Sequence, residues 1–289
     1  MRTYLDCVPC FFKQALDAAK LAGANKATQK KILNDLAKEV IAFDLNECPT
    51  AMGRILYKLV RTTTGRHDPF KKLKQKSNEL ALSFYHRLKA KVNRSQDRLL
   101  TAIELAIAGN IIDYGVKHSI NIDKEIDKIF KEEHKVIRQE DKRLFDYSAF
   151  KHALKKAKKI LYIGDNAGEI VFDRLLLEEF KDKKVLFAVR GEPIINDALI
   201  EDAKFCGIDR YARIISTGCG APGAILKFCS LSFRKIFQDA DLIISKGQGN
   251  FEALAGEKGP IYFLFRAKCP VIAKHLRCDI GDIILKKAN

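Results

Sequence analysis

Asp165 and Asn166 stand side by side in the stretch Lys158–Glu169, KKILYIGDNAGE, directly after the apolar run Ile160–Ile163. A carboxylate next to a carboxamide offers two hard oxygen ligands of the kind that Mg²⁺ or Mn²⁺ takes. Asp197, at the end of Arg190-Gly-Glu-Pro-Ile-Ile-Asn-Asp197, would add a second carboxylate, with waters completing the shell. Asp165 or Asn166 could equally cap the helix that opens at Glu169, a common use of both residue types. Lys246 lies in Ser245-Lys-Gly-Gln-Gly-Asn250, where glycines free backbone N–H groups and a cation beside them suits a phosphoryl group. A solvated loop lysine is the plain alternative. GDNAGE is not GxGxxG, which argues against NAD, and the lysine turn lacks GxxxxGK[ST].

Side chains so far apart in sequence need a scaffold that brings them together. From about Lys155, apolar runs (KKILYIG, KKVLFAVRG, YARIISTG, ADLIISKG, GPIYFLFR, GDIILKK) alternate with helical stretches. The helices are expected near Glu169–Phe180, Asn196–Phe205, Ala221–Gln238, Asn250–Ala255 and Val271–Leu276. Continuous apolar strands separated by helices predict a mostly parallel sheet covered on both faces, a three-layer α/β/α arrangement. The first four strands all run into Gly-containing polar turns, Ser216-Thr-Gly-Cys-Gly220 among them. Such turns share one edge of a parallel sheet, the edge where ligands of open α/β sheets bind.

The first half reads differently. Apolar residues recur at helical spacing over Phe11–Leu21, Thr28–Ile41, Ala51–Thr62, Leu73–Val92, Asp97–Tyr114 and Ile122–Phe130. The expected organisation is α/β, with an N-terminal helical domain over 1–152 and an α/β domain over 153–289 that carries most of the site. Asn110 and Asp113 fall three apart on one helix face within an otherwise apolar run, so they must find polar partners. Packing near the site, or a hydrogen bond to another helix, would supply them. The polar loop from Arg61 to Pro69 could also reach a phosphate.

Eight cysteines in 289 residues are too few and too scattered for a disulfide scaffold, and Cys206, Cys219 and Cys229 read as buried free thiols. Cys7-Val-Pro-Cys10 opens the first helix, whose positive end lowers a thiol pKa. With Cys48 and Cys278 it could bind zinc or cycle as a disulfide, although no second CxxC completes a knuckle. A structural or accessory role fits best. The six histidines are isolated and there is no GxSxG elbow, which disfavours a histidine-based hydrolase. The net charge of +16 comes from 52 basic residues interleaved with 36 acids, without a basic tail or an RNA-binding signature. That pattern suits a charged surface, or a field attracting anionic metabolites, better than nucleic acid. Mean hydropathy is −0.15, and no apolar run approaches the roughly 18 residues of a membrane span. No secretory h-region is present at the N-terminus, and the expected location is cytoplasmic.

Taken together, GDNAGE after a strand, RGxPxxND, KGQGNFE, AGNxxD and the N-terminal CxxC resemble the metal-dependent damage-control phosphatase family, specifically its mainly prokaryotic CxxC subfamily. The resemblance covers nearly the whole chain. It implies hydrolysis of phosphomonoesters of small metabolites, such as sugar phosphates or damaged phosphorylated cofactors, with Mn²⁺, Co²⁺, Ni²⁺ or Mg²⁺. By that resemblance Asp165, Asn166 and Asp197 are the metal ligands and Lys246 binds phosphate. Glu169, Arg190, Asn196, Asn250, Asn110 and Asp113 fall on further motif positions, expected at the substrate. Either water or Asp165 would attack phosphorus, and the lack of a DxD pair favours water. A non-catalytic protein that binds phosphometabolites or nucleotides in the same cleft is the rival reading.

Overall fold

The computed structural model describes residues 1–109 and 143–288, so Asn110, Asp113 and the expected helix Ile122–Phe130 lie outside the described residues. In the first half, helices run over Val8–Leu21 (α1), Lys26–Ala42 (α2), Pro49–Thr64 (α3), Lys71–Arg94 (α4) and Arg98–Ala108 (α5). Local chemistry sets their ends. Prolines sit in the first turns of α1 and α3, where their missing N–H costs nothing. Asn25 and Asp97 cap α2 and α5 by accepting from the N–H groups of Thr28 and Leu100. A further helix, Tyr147–Lys156 (α6), precedes the sheet and was not expected from the sequence.

All six expected strands are present: Lys159–Ile163 (β1), Lys184–Val189 (β2), Arg213–Ser216 (β3), Leu242–Lys246 (β4), Ile261–Arg266 (β5) and Ile283–Lys287 (β6). They form one sheet in the order β3-β2-β1-β4-β5-β6, parallel except for β6. Between them lie Glu169–Leu177 (α7), Ile200–Phe205 (α8), Leu231–Asp239 (α9), Gln248–Leu254 (α10) and Pro270–Leu276 (α11). The helix expected over Ala221–Gln238 is shorter than its periodicity suggested. It begins only after Ser230, whose hydroxyl accepts from Phe233 N. Upstream, Pro222 and Gly223 break it, and the Ala224 N–H is taken by Asn250 Oδ1 at 2.9 Å.

Alternation along the strands creates two cores. Ile160, Tyr162, Phe187, Ile244 and Leu264 face one layer, where they join buried residues of α4, α5, α6 and α7. Leu161, Ile163, Ile243 and Phe263 face the other, packed with Phe233, Phe251 and Ile272 of α9, α10 and α11. A third core, with Ile32, Met52 and Leu56 among its members, holds α1, α2 and α3 together. Helices from the first half therefore supply part of one layer over the sheet. The strand order reverses between β1 and β4, and Ile163 lies in register with Ala188 on β2 and Ser245 on β4. The first, second and fourth polar turns consequently leave the sheet at the same level, around the crevice where open α/β sheets bind ligands.

Candidate metal and phosphate site

Direct contacts knit the four turns together. Ala198 N donates to Asp165 O at 2.8 Å and Ala167 N to Asn196 O at 2.8 Å, so the first and second turns pair through their backbones. Asn166 and Asp197 consequently stand opposite each other as an antiparallel bridge. Gly191 N reaches Cys219 O at 3.0 Å, tying the second turn to the third. The fourth turn approaches the first so closely that a Cβ on Gly247 would lie 1.9 Å from Asp165 Oδ2, and Gly247 adopts φ +79°. Only glycine satisfies both conditions. Ile195, in the second turn, sits at φ +43°, a strained conformation for a β-branched residue and one that tends to occur at functional sites.

Six ionisable side chains converge under these turns, each buried: Asp165, Glu169, Asp173, Arg190, Asp197 and Lys246. Arg190 bridges the two candidate carboxylate ligands, with Nε 2.5 Å from Asp197 Oδ2 and Nη2 3.4 Å from Asp165 Oδ1. Its Nη1 is a buried donor without a hydrogen-bond partner among the described residues. Asn166 turns its amide nitrogen toward Asp165 Oδ2 (3.0 Å) and Glu169 Oε2 (3.2 Å). Lys246 is fully buried and donates to Ala106 O at 2.7 Å, Glu169 Oε1 at 2.6 Å and Asp173 Oδ1 at 2.5 Å. An ammonium has three protons. Lys246, expected as a phosphoryl clamp, therefore has none left for a phosphate in this arrangement. Asn250 is likewise committed: its Nδ2 donates to Gly164 O and Lys246 O, and its Oδ1 accepts from Ala224 N. It ties the turns to one another. Asn196 lies beside Asp197 and is buried.

The electrostatics show what the arrangement lacks. Burial is the largest influence on Asp165 and raises its carboxyl well above the usual range, with the Asp197 and Glu169 charges adding to it. Burial also raises Asp197, against the opposing pull of Arg190. Asp173 is pushed up to about 6 by burial although Lys246 opposes this. Of the six buried groups four are carboxylates and two are cations, an excess of two negative charges when all are ionised. Unpaired buried charge is costly, and a divalent cation would supply the missing two charges. Among the described residues no three His, Cys, Asp or Glu side chains are arranged as a metal cage. Two carboxylates and an amide instead leave positions for water and substrate, the open coordination that Mg²⁺ and Mn²⁺ favour. The donor set fits such an ion.

Some participants had escaped the sequence reading. Asp173 lies four residues after Glu169, hence on the same face of α7, and an acid inside the largely apolar run Ile170–Leu177 is the signal the sequence offers. Tyr162 donates to Asp173 at 2.8 Å from within β1. Arg61, the first residue of the stretch expected as a loop able to reach a phosphate, lies in α3 and braces the second turn through Pro193 O and Glu192 Oε2, both at 2.7 Å. In the third turn, a hydrogen bond from Cys229 pulls the buried Cys219 thiol down to about 6, with Arg190 also favouring the thiolate. At the N-terminus burial raises the Cys7 thiol, against the lowering expected from the helix end. Among the described residues no cysteine is in a disulfide, and none joins a metal-ligating cluster of three.

The model of the damage-control phosphatase ARMT1-like domain matches residues 3–284. The chain belongs to this family. It is 34% identical to the damage-control phosphatase PH1575 of Pyrococcus horikoshii, over 98% of this chain and 97% of that one. A damage-control phosphatase of Archaeoglobus fulgidus is 33% identical over 97% of both chains. An uncharacterized protein of Methanocaldococcus jannaschii is 38% identical over 98% of this chain and 94% of its own. The crystal structure of PH1575, a DUF89-family protein, superposes with a TM-score of 0.89 at 30% identity, covering all of both chains. This ARMT1-like chain thus shares a phosphatase family's fold along its whole length. Among its described residues no helix is long and apolar enough to cross a membrane.

Proposed function

We propose that this ARMT1-like chain hydrolyses phosphomonoesters of small metabolites, sugar phosphates or damaged phosphorylated metabolites, with a divalent cation held by Asp165, Asn166 and Asp197. One observation carries the reading: a buried site at the sheet's switch point holds four carboxyl groups against two cations, with two carboxylates and an amide meeting across paired turns. Mn²⁺, Co²⁺, Ni²⁺ and Mg²⁺ are the candidate ions. When bound, such an ion supplies Lewis-acid neutralisation of a phosphoryl oxygen.

The chain's own residues divide the remaining work. Arg190 offers its unpartnered Nη1 as a charged donor to a phosphoryl oxygen while its other nitrogens hold Asp165 and Asp197 in place. Lys246 acts from beneath, keeping Glu169 and Asp173 compensated; contact with phosphate would require it to exchange one of its present acceptors. Water is the proposed nucleophile, since Asp165 does not open a DxD pair, and Asp165 is kept as a ligand of the ion. Asn250 belongs to the scaffold, and Asn196, buried beside Asp197, joins the turns through its carbonyl.

Phosphate release tests this directly. Chelator-stripped protein is given sugar phosphates and p-nitrophenyl phosphate, with each metal restored singly. Release should require metal, and Asp165→Ala should abolish it while circular dichroism stays native. Equal release by Asp165→Ala would remove the assignment. Ligand-induced thermal stabilisation without release under any metal would favour the non-catalytic binding protein.

A further inference from the structure

Helix α4 comes from the first half of the chain, yet its polar side ends beneath the two turns that carry the candidate metal ligands. Lys74 and Asn78 are four residues apart, so they share one face, and each is only 2% exposed. Lys74 Nζ lies 2.8 Å from Asp68 Oδ2 and 3.4 Å from Asp202 Oδ2. Asn78 Nδ2 donates to Asp202 Oδ1 at 2.9 Å, and Asn78 Oδ1 accepts from Gly168 N at 2.7 Å. Asp202 in turn accepts from Leu199 N at 2.9 Å. Gly168 comes two residues after Asn166, and Leu199 comes two residues after Asp197. A single carboxamide therefore holds the first turn directly and the second through Asp202.

The two turns need such a restraint. Ile195, two residues before Asp197 in the second turn, holds a strained backbone angle at φ +43°. Two backbone hydrogen bonds join the turns from within, and the α4 clamp joins them from outside. The chemistry at position 78 is also restrictive. An amide accepts from an N–H and donates to a carboxylate at once, whereas a carboxylate there would only accept and would face Asp202 with like charge.

We infer that Asn78 is a positioning residue: anchored through Asp202 and Lys74, it sets the spacing of the turns bearing Asp165, Asn166 and Asp197, and thereby the affinity for the divalent cation. The inference rests on the ligand set proposed above. Groups that orient metal ligands from behind typically change metal affinity about 10–100-fold when removed.

Calorimetric Mn²⁺ titration of the chelator-stripped full chain tests it without reference to activity. Asn78→Asp should weaken binding by about 10–100-fold. Asp202→Asn, which sets two amide N–H groups against each other, should do the same and serves if the first variant does not fold. Combining them rebuilds the pair in reverse, the new amide donating to the new carboxylate, and should restore affinity to within a few-fold. A group that merely stabilises the fold would lower the melting temperature and leave the dissociation constant of the folded protein unmoved. Wild-type Mn²⁺ affinity in both single variants, or no recovery in the folded double variant, overturns the inference. Asp165→Asn separates the two layers of argument. If it binds Mn²⁺ like the wild type, the ligand set itself is wrong; if it loses binding while the Asn78 and Asp202 variants keep it, only the clamp fails.

Discussion

The two edges of one sheet treat carboxylates in opposite ways. Where β1 begins, Asp241 is exposed and accepts from the N–H groups of Lys158 and Lys159 at 2.9 and 2.8 Å, which lowers its pKa. Where β1 ends, Asp165 is buried beside other acids and its pKa is raised. The first acid has water around it and donors aimed at it, so its charge is comfortable and serves only to fasten strands. The second has lost water and gained like-charged neighbours, an unfavourable state that the proposed cation would relieve. Perturbation at the carboxyl edge thus accords with the proposed site, whereas the perturbation at the amino edge accompanies fastening.

The largest way to break this contrast is Lys246→Met. It leaves Glu169 and Asp173 buried without their cation, and breaking a buried pair in this way costs about 3–5 kcal/mol. Denaturant unfolding should record that loss; near-wild-type stability would mean that the floor of the site is hydrated. Gly247→Ala comes next. Its methyl would collide with Asp165 Oδ2 at a positive φ, and displacement of a reacting group by about 1 Å costs about 100-fold in rate. Phosphate release measured on folded protein should fall by about that factor, and an undiminished rate would separate Asp165 from the chemistry.

Cation binding sharpens the comparison further. At about 100 times its dissociation constant, Mn²⁺ should stabilise the stripped protein by about 2.7 kcal/mol, read as a rise in melting temperature. Asp165→Ala should abolish that rise, whereas an equal rise in both proteins would locate the ion elsewhere. The smallest effect belongs to Asp241→Ala. Because the folded pKa of Asp241 is lowered, its contribution is present above the unfolded pKa and disappears as pH falls through the folded one. Wild type and variant should differ slightly in unfolding midpoint at neutral pH and converge in acid, with phosphate release unchanged. A change in release would connect the two edges.

Much of this protein is legible in one dimension. The six strands stand out as continuous apolar runs because a doubly covered sheet demands apolar residues on both faces. Periodicity misleads over Ala221–Phe228, where Pro222, Gly223 and the demand of Asn250 for the Ala224 N–H stop an α-helix from forming and leave a single 3-10 turn at Leu226–Phe228. Tyr147–Lys156 was missed where the helical texture gives way to the sheet. Lys74 and Asn78 look like an ordinary solvated face of α4, since a polar residue in a helix carries no mark that distinguishes water from a buried partner. Asp173 did carry a mark, being an acid inside the largely apolar run Ile170–Leu177.

What the sequence by itself determined is the kind of donors available and the edge on which they gather, because residue types and strand ends are local properties. It placed Asp165, Asn166, Asp197, Arg190 and Lys246 in turns at that edge. Only the tertiary structure decided which of them has capacity left to act. Lys246 is saturated by groups 140, 77 and 73 residues away, whereas Arg190 keeps a buried donor without a partner. Hydrogen-bond saturation and unbalanced charge depend on distances between segments remote in the chain, and apolar periodicity, which encodes only which face is buried, cannot specify them.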